Sequence, residues 1–441
     1  MEKFSGISRR VLLRGSVAAA VAANGLALAR PVLAQTGFAL PKIAGTDVLK
    51  NARDENYWNQ IASLFKLSPD FINLENGFYG VLSKPVLADY QQHIARLNET
   101  SSYFLRQQYA QEATRIRAQI AEVAGVDVSE IVLTRNATEA LQNLIVNYNK
   151  LKPGDTVLYA DLDYDSAQEN IEYLRETRGI NTVKITIPEP ATYESIIETY
   201  ERAFAEHPRI KLVLLTHIGH RTSLAIPVTE IAEFAKQKDI DVLVDAAHSW
   251  GHLDFKVPDL KADFGAFNLH KWIGAPLGVG FIYIRKEKLA AINPHLVNRE
   301  KAATDISSRV HTGTTATANV LTVPAALDFH RQLGAANKEA RLRYLRDYWV
   351  TRVRKEIPNI QILTPDDPRL YGAITSLRIK GKTSKADNQL LAQKLREQHN
   401  IFTVARGGAA SGDSVRITPA IFTRTSDLDK LVAALKTVAQ S

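Results

Sequence analysis

Lys271 stands between a histidine and a tryptophan in the run NLHKWIGAPLGVGF (268–281), and upstream of it the apolar run Val242–Val244 ends on a carboxylate, Asp245. An acid at the end of an apolar run can hold a heterocyclic nitrogen protonated. A lysine in a glycine-punctuated loop can form a Schiff base with an aldehyde. Together they are the pair that pyridoxal phosphate chemistry needs. Taken singly, each has an ordinary explanation: Asp245 as a helix cap, Lys271 as a solvated loop charge. The whole pattern, rather than either residue, points to chemistry.

The elements around them explain how such a pair could be positioned. Strand-like apolar runs fall at Ile131–Leu133, Thr156–Ala160, Val183–Ile187, Leu212–Thr216, Val242–Asp245, Phe264–Asn268 and Val279–Ile284, with helical spacing at 138–150, 165–178, 192–205 and 228–238. Strands alternating with helices of this length predict a mainly parallel, doubly wound sheet covered on both faces. Ligands on such sheets bind beyond the carboxyl ends of the strands. Thr138 follows the first of these runs, Tyr164 the second, Asp245 the fifth and Lys271 the sixth. Their shared position is stronger evidence than any one motif.

Upstream, residues 35–70 read as an extended or loosely helical arm, then a short strand, a glycine-rich loop (FINLENGFYG, 71–80) and a helix opened by Pro85. Helical spacing follows over 86–124. From residue 311 the rhythm changes to a long helical region (317–354), strand-like runs at Ile360–Leu363, Ile374–Ile379, Ile401–Val404 and 415–422, a helix over 385–397, and a last helix from Ser426. The expected architecture is a large domain (71–310) with a seven-stranded sheet and a smaller α+β domain (311–441).

On these residues the chain resembles the class V aminotransferase family of pyridoxal-phosphate enzymes, of fold type I, and within it the isopenicillin N epimerase-like branch. The resemblance rests on NLENGFYG (73–80), LTRNATEAL (133–141), DLDYDSA (161–167), LTHI (215–218), VDAAHSWG (244–251), NLHKWIGAPLGVGF (268–281), GTTATANVLTVPAAL (313–327) and VRITPAIFT (415–423), and spans roughly 70–435. It implies that Lys271 carries the cofactor and Asp245 pairs with the ring nitrogen. His248 contacts the phenolic oxygen, and Tyr164 stacks on the ring where relatives often have histidine. For the phosphate it implies the Ala137–Thr138 helix start, Asn268, His270 and, from a neighbouring subunit, Thr314, hence a homodimer with shared sites. Arg416 takes the place of the arginine that grips a substrate carboxylate. Arg406 is a second candidate, and Glu75, Asn76 and Gly77 line the entrance or simply make a turn, with Asn76 the one taken as a substrate contact. Alternatives stay open for several: Thr138 as a helix cap, Tyr164 as packing, Arg416 as a surface ion pair. His248 with His252, and His217 with His220, are spaced like metal ligands, but no H-E-x-x-H signature accompanies them and no metal is expected.

Residues 1–34 read as a twin-arginine export signal: Ser8-Arg9-Arg10-Val11-Leu12-Leu13-Arg14, an alanine-rich stretch, and Val32-Leu33-Ala34 before Gln35. That stretch is too interrupted by Asn24 and Arg30 for a stable membrane span. Lys3, Arg9, Arg10, Arg14 and Arg30 against Glu2 supply half of the formal charge of +8. The remainder is near +4 with no basic stripe, which gives nucleic-acid binding little support. Hydrophobic content of 45% and charged content of 23% are ordinary for a globular chain. The chain has no cysteine, which removes every thiol-based mechanism, the persulfide route of cysteine desulfuration included. The expectation is a periplasmic or otherwise exported enzyme, carried by the twin-arginine machinery. It would act at the α-carbon of an amino-acid moiety in an exported compound, as an epimerase or aminotransferase; a lyase and a non-catalytic binding protein are the alternatives.

Overall fold

The strand ends are where the fold puts its ligand-facing groups. In a computed structural model, residues 37–43, 45–298 and 300–440 are described, and the export signal read in 1–34 lies outside them. Residues 39–441 form one compact unit; of the unit before it, only Gly37 and Phe38 are described, in neither helix nor strand. The strands in chain order are β1 (Ile72–Asn73), β2 (Ile131–Thr134), β3 (Thr156–Ala160), β4 (Asn181–Ile185), β5 (Ile210–Thr216), β6 (Asp241–Asp245), β7 (Phe264–Asn268), β8 (Gly280–Ile284), β9 (Ile360–Ile362), β10 (Thr375–Ile379), β11 (Ile401–Phe402), β12 (Val404–Arg406) and β13 (Ser414–Ile417).

Seven of them form one sheet in the order β2-β8-β7-β6-β5-β3-β4, in which only β8 runs against the rest. β3, β6, β7 and β8 are buried along their whole length, which is why they are near-continuous apolar runs instead of alternating ones. β4, at one edge, has no fully buried residue and starts two residues earlier than the apolar spacing suggests. The helices Ala137–Asn147 and Asp165–Arg178 bury Leu141, Leu144, Ile145, Ile171 and Leu174 in the core shared with β3, β6, β7 and β8. Register matters more here than packing. β6 is aligned so that Asp245 sits between Thr216 of β5 and Ala266 of β7. β5 and β6 therefore end together and β7 two residues later, and residues that follow all three line one cavity.

The second sheet is antiparallel, in the order β12-β13-β10-β9, and packs through Leu377, Val415 and Ile417 against Leu345, Trp349 and Leu431. β1 pairs in parallel with β11, and the chain continues past it so that Glu75 bridges Thr418 just beyond β13. This ties the 71–80 loop to the strand that carries Arg416. The arm read as extended or loosely helical holds two short helices, Val48–Ala52 and Glu55–Ser63, capped by the side chains of Asp47 and Asp54. The long helical region divides into Thr317–Leu321, Val323–Leu333 and Ala335–Glu356. The run 415–422 is strand only to Ile417. Among the described residues, no helix is long and apolar enough to cross a membrane.

Candidate active site

β6 ends on Asp245, which is 4% exposed. One carboxylate oxygen accepts the Ala247 N–H at 2.9 Å, and the other has no protein partner among the described residues. Burial pushes this carboxyl up, while the Ala247 N–H and the Lys271 charge pull it back. Lys271 follows the end of β7, and its Nζ lies 3.0 Å from His248 Nε2. Burial brings its ammonium down to about 7; Asp245 opposes that shift, and Arg416 and Arg406 reinforce it. The His248 imidazole is held well below its usual range by burial and by the Lys271 charge, so it is neutral. Facing a lysine donor, its Nε2 accepts; the ring proton therefore belongs on Nδ1, a buried nitrogen without a partner among the described residues.

The loop carrying His248 is tied to the loop carrying Lys271. His252 Nδ1 donates to the His248 carbonyl (2.9 Å), its Nε2 accepts the Ala373 N–H (2.7 Å), and its ring stacks on Trp272 with centroids 3.8 Å apart. His217 packs edge-on to Phe255. The two histidine pairs with metal-like spacing are thus engaged in packing and lysine contacts. The Lys338 ammonium donates to the Trp272 carbonyl, and the Gly80 N–H to the His270 carbonyl at 2.8 Å. A methyl at Gly80 would come within 2.3 Å of the Lys271 carbonyl, so only glycine lets this loop lie against the lysine.

At the other end of the cavity, Asn136 caps the helix Ala137–Asn147 and accepts the Glu139 N–H at 2.9 Å. Thr138 is therefore inside the first turn and is not the cap. The Ala137 N–H, expected for a phosphate, is already taken by Asn268 Oδ1 at 2.8 Å. That contact corrects two expectations: Ala137 is not a free donor, and Asn268 keeps only its amide N–H groups for an anion. The Thr138 N–H and hydroxyl are engaged by neither asparagine, and both stand at a helix N-terminus, where anions bind. His270 Nδ1 lies 3.1 Å from the Val279 carbonyl, which can only accept, so a neutral ring has Nε2 bare. Burial holds this imidazole at about 4. A bound phosphate would favour a second ring proton and turn Nε2 into a donor.

One cavity of about 380 Å³ is lined by Lys271, Asp245, His248, Tyr164, Ala137, Thr138, Asn268, His270, Arg406 and Arg416. Tyr164 and His220 meet edge-to-face there, ring centroids 5.5 Å apart. One residue expected in this chain's own site is elsewhere. Asn76 is buried outside this lining, with its amide spent on the carbonyls of Thr418 (2.9 Å) and Asn73 (3.1 Å); it staples the 71–80 loop to the strand after β13. Thr314, expected at a neighbouring subunit's phosphate, is on an exposed bend. The sequence left Glu75 between an entrance residue and a plain turn, weighed His220 only as half of a metal-like pair, and did not single out Asp163, which lies outside the cavity lining. Glu75 accepts from both Arg406 and Arg416. His220 lines the cavity and holds Arg416 through its carbonyl. Asp163 is a fully buried carboxylate whose pKa burial raises to about 7, bonded to the N–H groups of Ala160 and Thr216.

This donor set fits pyridoxal phosphate: a carboxylate with one oxygen free for the ring nitrogen, a lysine near neutrality, and a helix start with a histidine for the phosphate. Tyr164 provides the aromatic surface. Bound there, the cofactor supplies an aldehyde for a substrate amine and an electron-accepting ring for the bond broken beside it.

The aminotransferase class V family matches residues 82–431. Isopenicillin N epimerase of Streptomyces clavuligerus is 27% identical over 394 residues, which cover 86% of this chain and 97% of that protein. A probable cysteine desulfurase of Vibrio cholerae is 26% identical over 360 residues, 78% of this chain and 87% of its own. Among solved structures, the cystine C–S lyase C-DES in complex with cysteine persulfide shares the fold, with a TM-score of 0.72 at 23% identity over 83% of this chain and 98% of that one.

Proposed function

The chain belongs to the class V aminotransferase family and uses pyridoxal phosphate, and on that premise we propose that it acts at the α-carbon of an amino-acid or amine substrate, as an epimerase or aminotransferase does. The observation that carries this reading is the Lys271–His248 contact beside the free oxygen of Asp245, within a cavity that also presents two arginines. Lys271 can hold or release a proton near neutral pH, since burial places its pKa at about 7. His248, neutral, accepts from Lys271 and orients it. Asp245 keeps a negative charge where a ring nitrogen needs to stay protonated. Arg416 and Arg406 receive a carboxylate. Tyr164 and His220 add protic groups on the cavity wall, as a second proton donor would require for epimerisation.

Elimination of a side chain is the second reading, favoured by relatives named as a desulfurase and by the fold shared with a C–S lyase. A persulfide-carrying thiol is not available to it, because the chain has no cysteine. The substrate we favour is an amino-acid moiety of a larger exported compound, reached in the periplasm after twin-arginine export, by a homodimer in which Thr314 serves the neighbouring site. The reading of 1–34 as a signal supports the first part, and the exposed bend at Thr314 the second.

The test is product analysis in deuterated water, with cofactor-loaded protein and a panel of free and peptide-borne amino acids. α-Deuteration with inversion selects epimerisation, a keto product transamination, and a lost side chain elimination. No deuterium uptake and no product across the panel would refute catalysis and leave a binding protein. Fast turnover of free amino acids with none of the peptide-borne ones would sink the exported-compound reading alone.

A further inference from the structure

Arg416 and Arg406 share a single carboxylate. Arg416 lies on β13 between β12 and β10, and its side chain is 1% exposed. Glu75 Oε2 accepts from Arg416 Nε at 3.3 Å, Glu75 Oε1 accepts from Nη2, and the His220 carbonyl accepts from Nη1 at 3.2 Å. A guanidinium carries five N–H groups in a rigid plane. Three are engaged, which leaves one hydrogen on each of Nη1 and Nη2. Arg416 lines the cavity and Glu75 does not, so the unspent end of the fork is the part available to a ligand. Gly77 presses the Glu75 loop onto the same group, since a methyl there would come within 2.7 Å of Arg416 Nη2. Arg406, at the end of β12, reaches Glu75 Oε1 at 3.4 Å through Nη2, while its buried Nε has no partner among the described residues.

We infer that Glu75 sets the anion selectivity of the substrate seat: it fixes Arg416 end-on to the cavity and cancels one of the two arginine charges, so that the seat takes one carboxylate and disfavours a second. This rests on the reading that the cavity receives an amino-acid-like substrate, and it narrows that class to compounds with a single carboxylate near the reacting carbon. Glu75 acts through the arginines and is a positioning residue. Two arginines without it would present a charge of +2 in a partly desolvated site, where a unit charge weighs several times more than in water. With Glu75 in place the cluster is +1.

The test is calorimetric titration of the cofactor-loaded, full-length protein with acetate and with succinate, comparing the ratio of the two Kd values. Wild type is expected to bind acetate more tightly than succinate. Glu75→Gln keeps the shape and removes the charge, and is expected to move the ratio toward succinate by about tenfold. Glu75→Asp keeps the charge but shortens the reach, so it should weaken both anions while leaving the ratio at the wild-type value. An unchanged ratio in Glu75→Gln, or the same shift in both variants, would overturn the inference. If Glu75→Gln does not unfold cooperatively, Arg406→Gln replaces it. That change lowers the cluster from +1 to neutral at a partly exposed position, and should move the ratio toward acetate by a comparable factor; no movement would again overturn the inference. The titration involves no turnover. A protein with these preferences that transforms no amino acid would refute the proposed reaction and leave the seat as described, and active protein without them would do the reverse.

Discussion

Replacing His248 with leucine tests whether the Lys271 amine is controlled as the geometry implies. His248 Nε2 is 3.0 Å from Lys271 Nζ and, being neutral, accepts from it. A hydrogen bond to a charged group is worth about 1.5–3 kcal/mol, and about 1.4 kcal/mol corresponds to one pH unit. Losing the acceptor destabilises the ammonium, and leucine desolvates it further, so both effects have the same sign. The midpoint should fall from about 7 by about one to two pH units. At pH 6 the neutral fraction of the amine then rises by about fivefold to tenfold. The assay is labelling of the cofactor-free protein with an amine-reactive reagent between pH 5 and 9, with the Lys271 peptide quantified by mass spectrometry. A midpoint that stays at 7 or rises would show that His248 does not hold the ammonium, and the assignment of its tautomer and role would fail with it.

Lys338 is buried, has its pKa lowered to about 7 by burial alone, and donates to the Trp272 carbonyl. An unfolded lysine keeps its proton to about pH 10, so unfolding takes up a proton between roughly pH 7 and 10, and this residue makes stability rise with pH across that window. Lys338→Met should reduce that slope by about 1.4 kcal/mol per pH unit, read from urea melts at several pH values; an unaltered slope would mean that the lysine is charged in the fold. Asp163 accepts two backbone N–H groups, from Ala160 at 2.7 Å and Thr216 at 3.2 Å. Asparagine can accept only one of them, so Asp163→Asn should cost about 1–3 kcal/mol of stability, measured by denaturant melts. Gly80→Ala places a methyl 2.3 Å from the Lys271 carbonyl, a backbone atom that cannot swing aside. Overpacking of this kind costs about 1–3 kcal/mol, and the visible absorbance of bound cofactor should fall with it; undiminished cofactor content would show that the lysine loop is free to move.

Asp245 and Lys271 were legible because a buried parallel strand is a continuous apolar run, and its end is marked by the first polar residue. The same logic placed Thr138 and Tyr164 at helix starts. It could not show that Asn268 would meet the Ala137 N–H, a contact between residues far apart in the chain whose geometry depends on how β2, β7 and β8 align. The role of Glu75, left between the entrance and a plain turn, was undecidable for a related reason. Its neighbours in sequence look like a turn, and only the pairing of β1 with β11 and the bridge to Thr418 bring it to Arg416. Some misses had readable signals. The break before Val323 is announced by Pro324, and the start of the next helix by Gly334 at positive φ. Asp47 and Asp54 stand where helix caps belong, ahead of the two helices of the arm. Asp163 had no such signal. A buried, hydrogen-bonded acid and a solvated one are identical in sequence, and only burial separates them.

The two arginines couple the seat to the lysine. Both lower the Lys271 pKa, and Asp245 and Glu75 raise it. A carboxylate bound on the free edge of Arg416 adds one negative charge to that balance, so it favours the ammonium and moves the Lys271 midpoint up. Reciprocity requires that carboxylates bind more tightly where Lys271 is protonated, below pH 7. An effect of about half to one pH unit follows for a unit charge in a partly solvated cavity. The labelling assay checks it directly: with saturating acetate, the Lys271 midpoint should rise in wild type and not in Arg416→Gln. A protective effect equal at all pH values would mean that acetate only blocks access, and a falling midpoint would place the bound anion away from the arginines. In the expected case, seating a carboxylate raises the proton affinity of the lysine amine, and Arg416 is the residue that links the two.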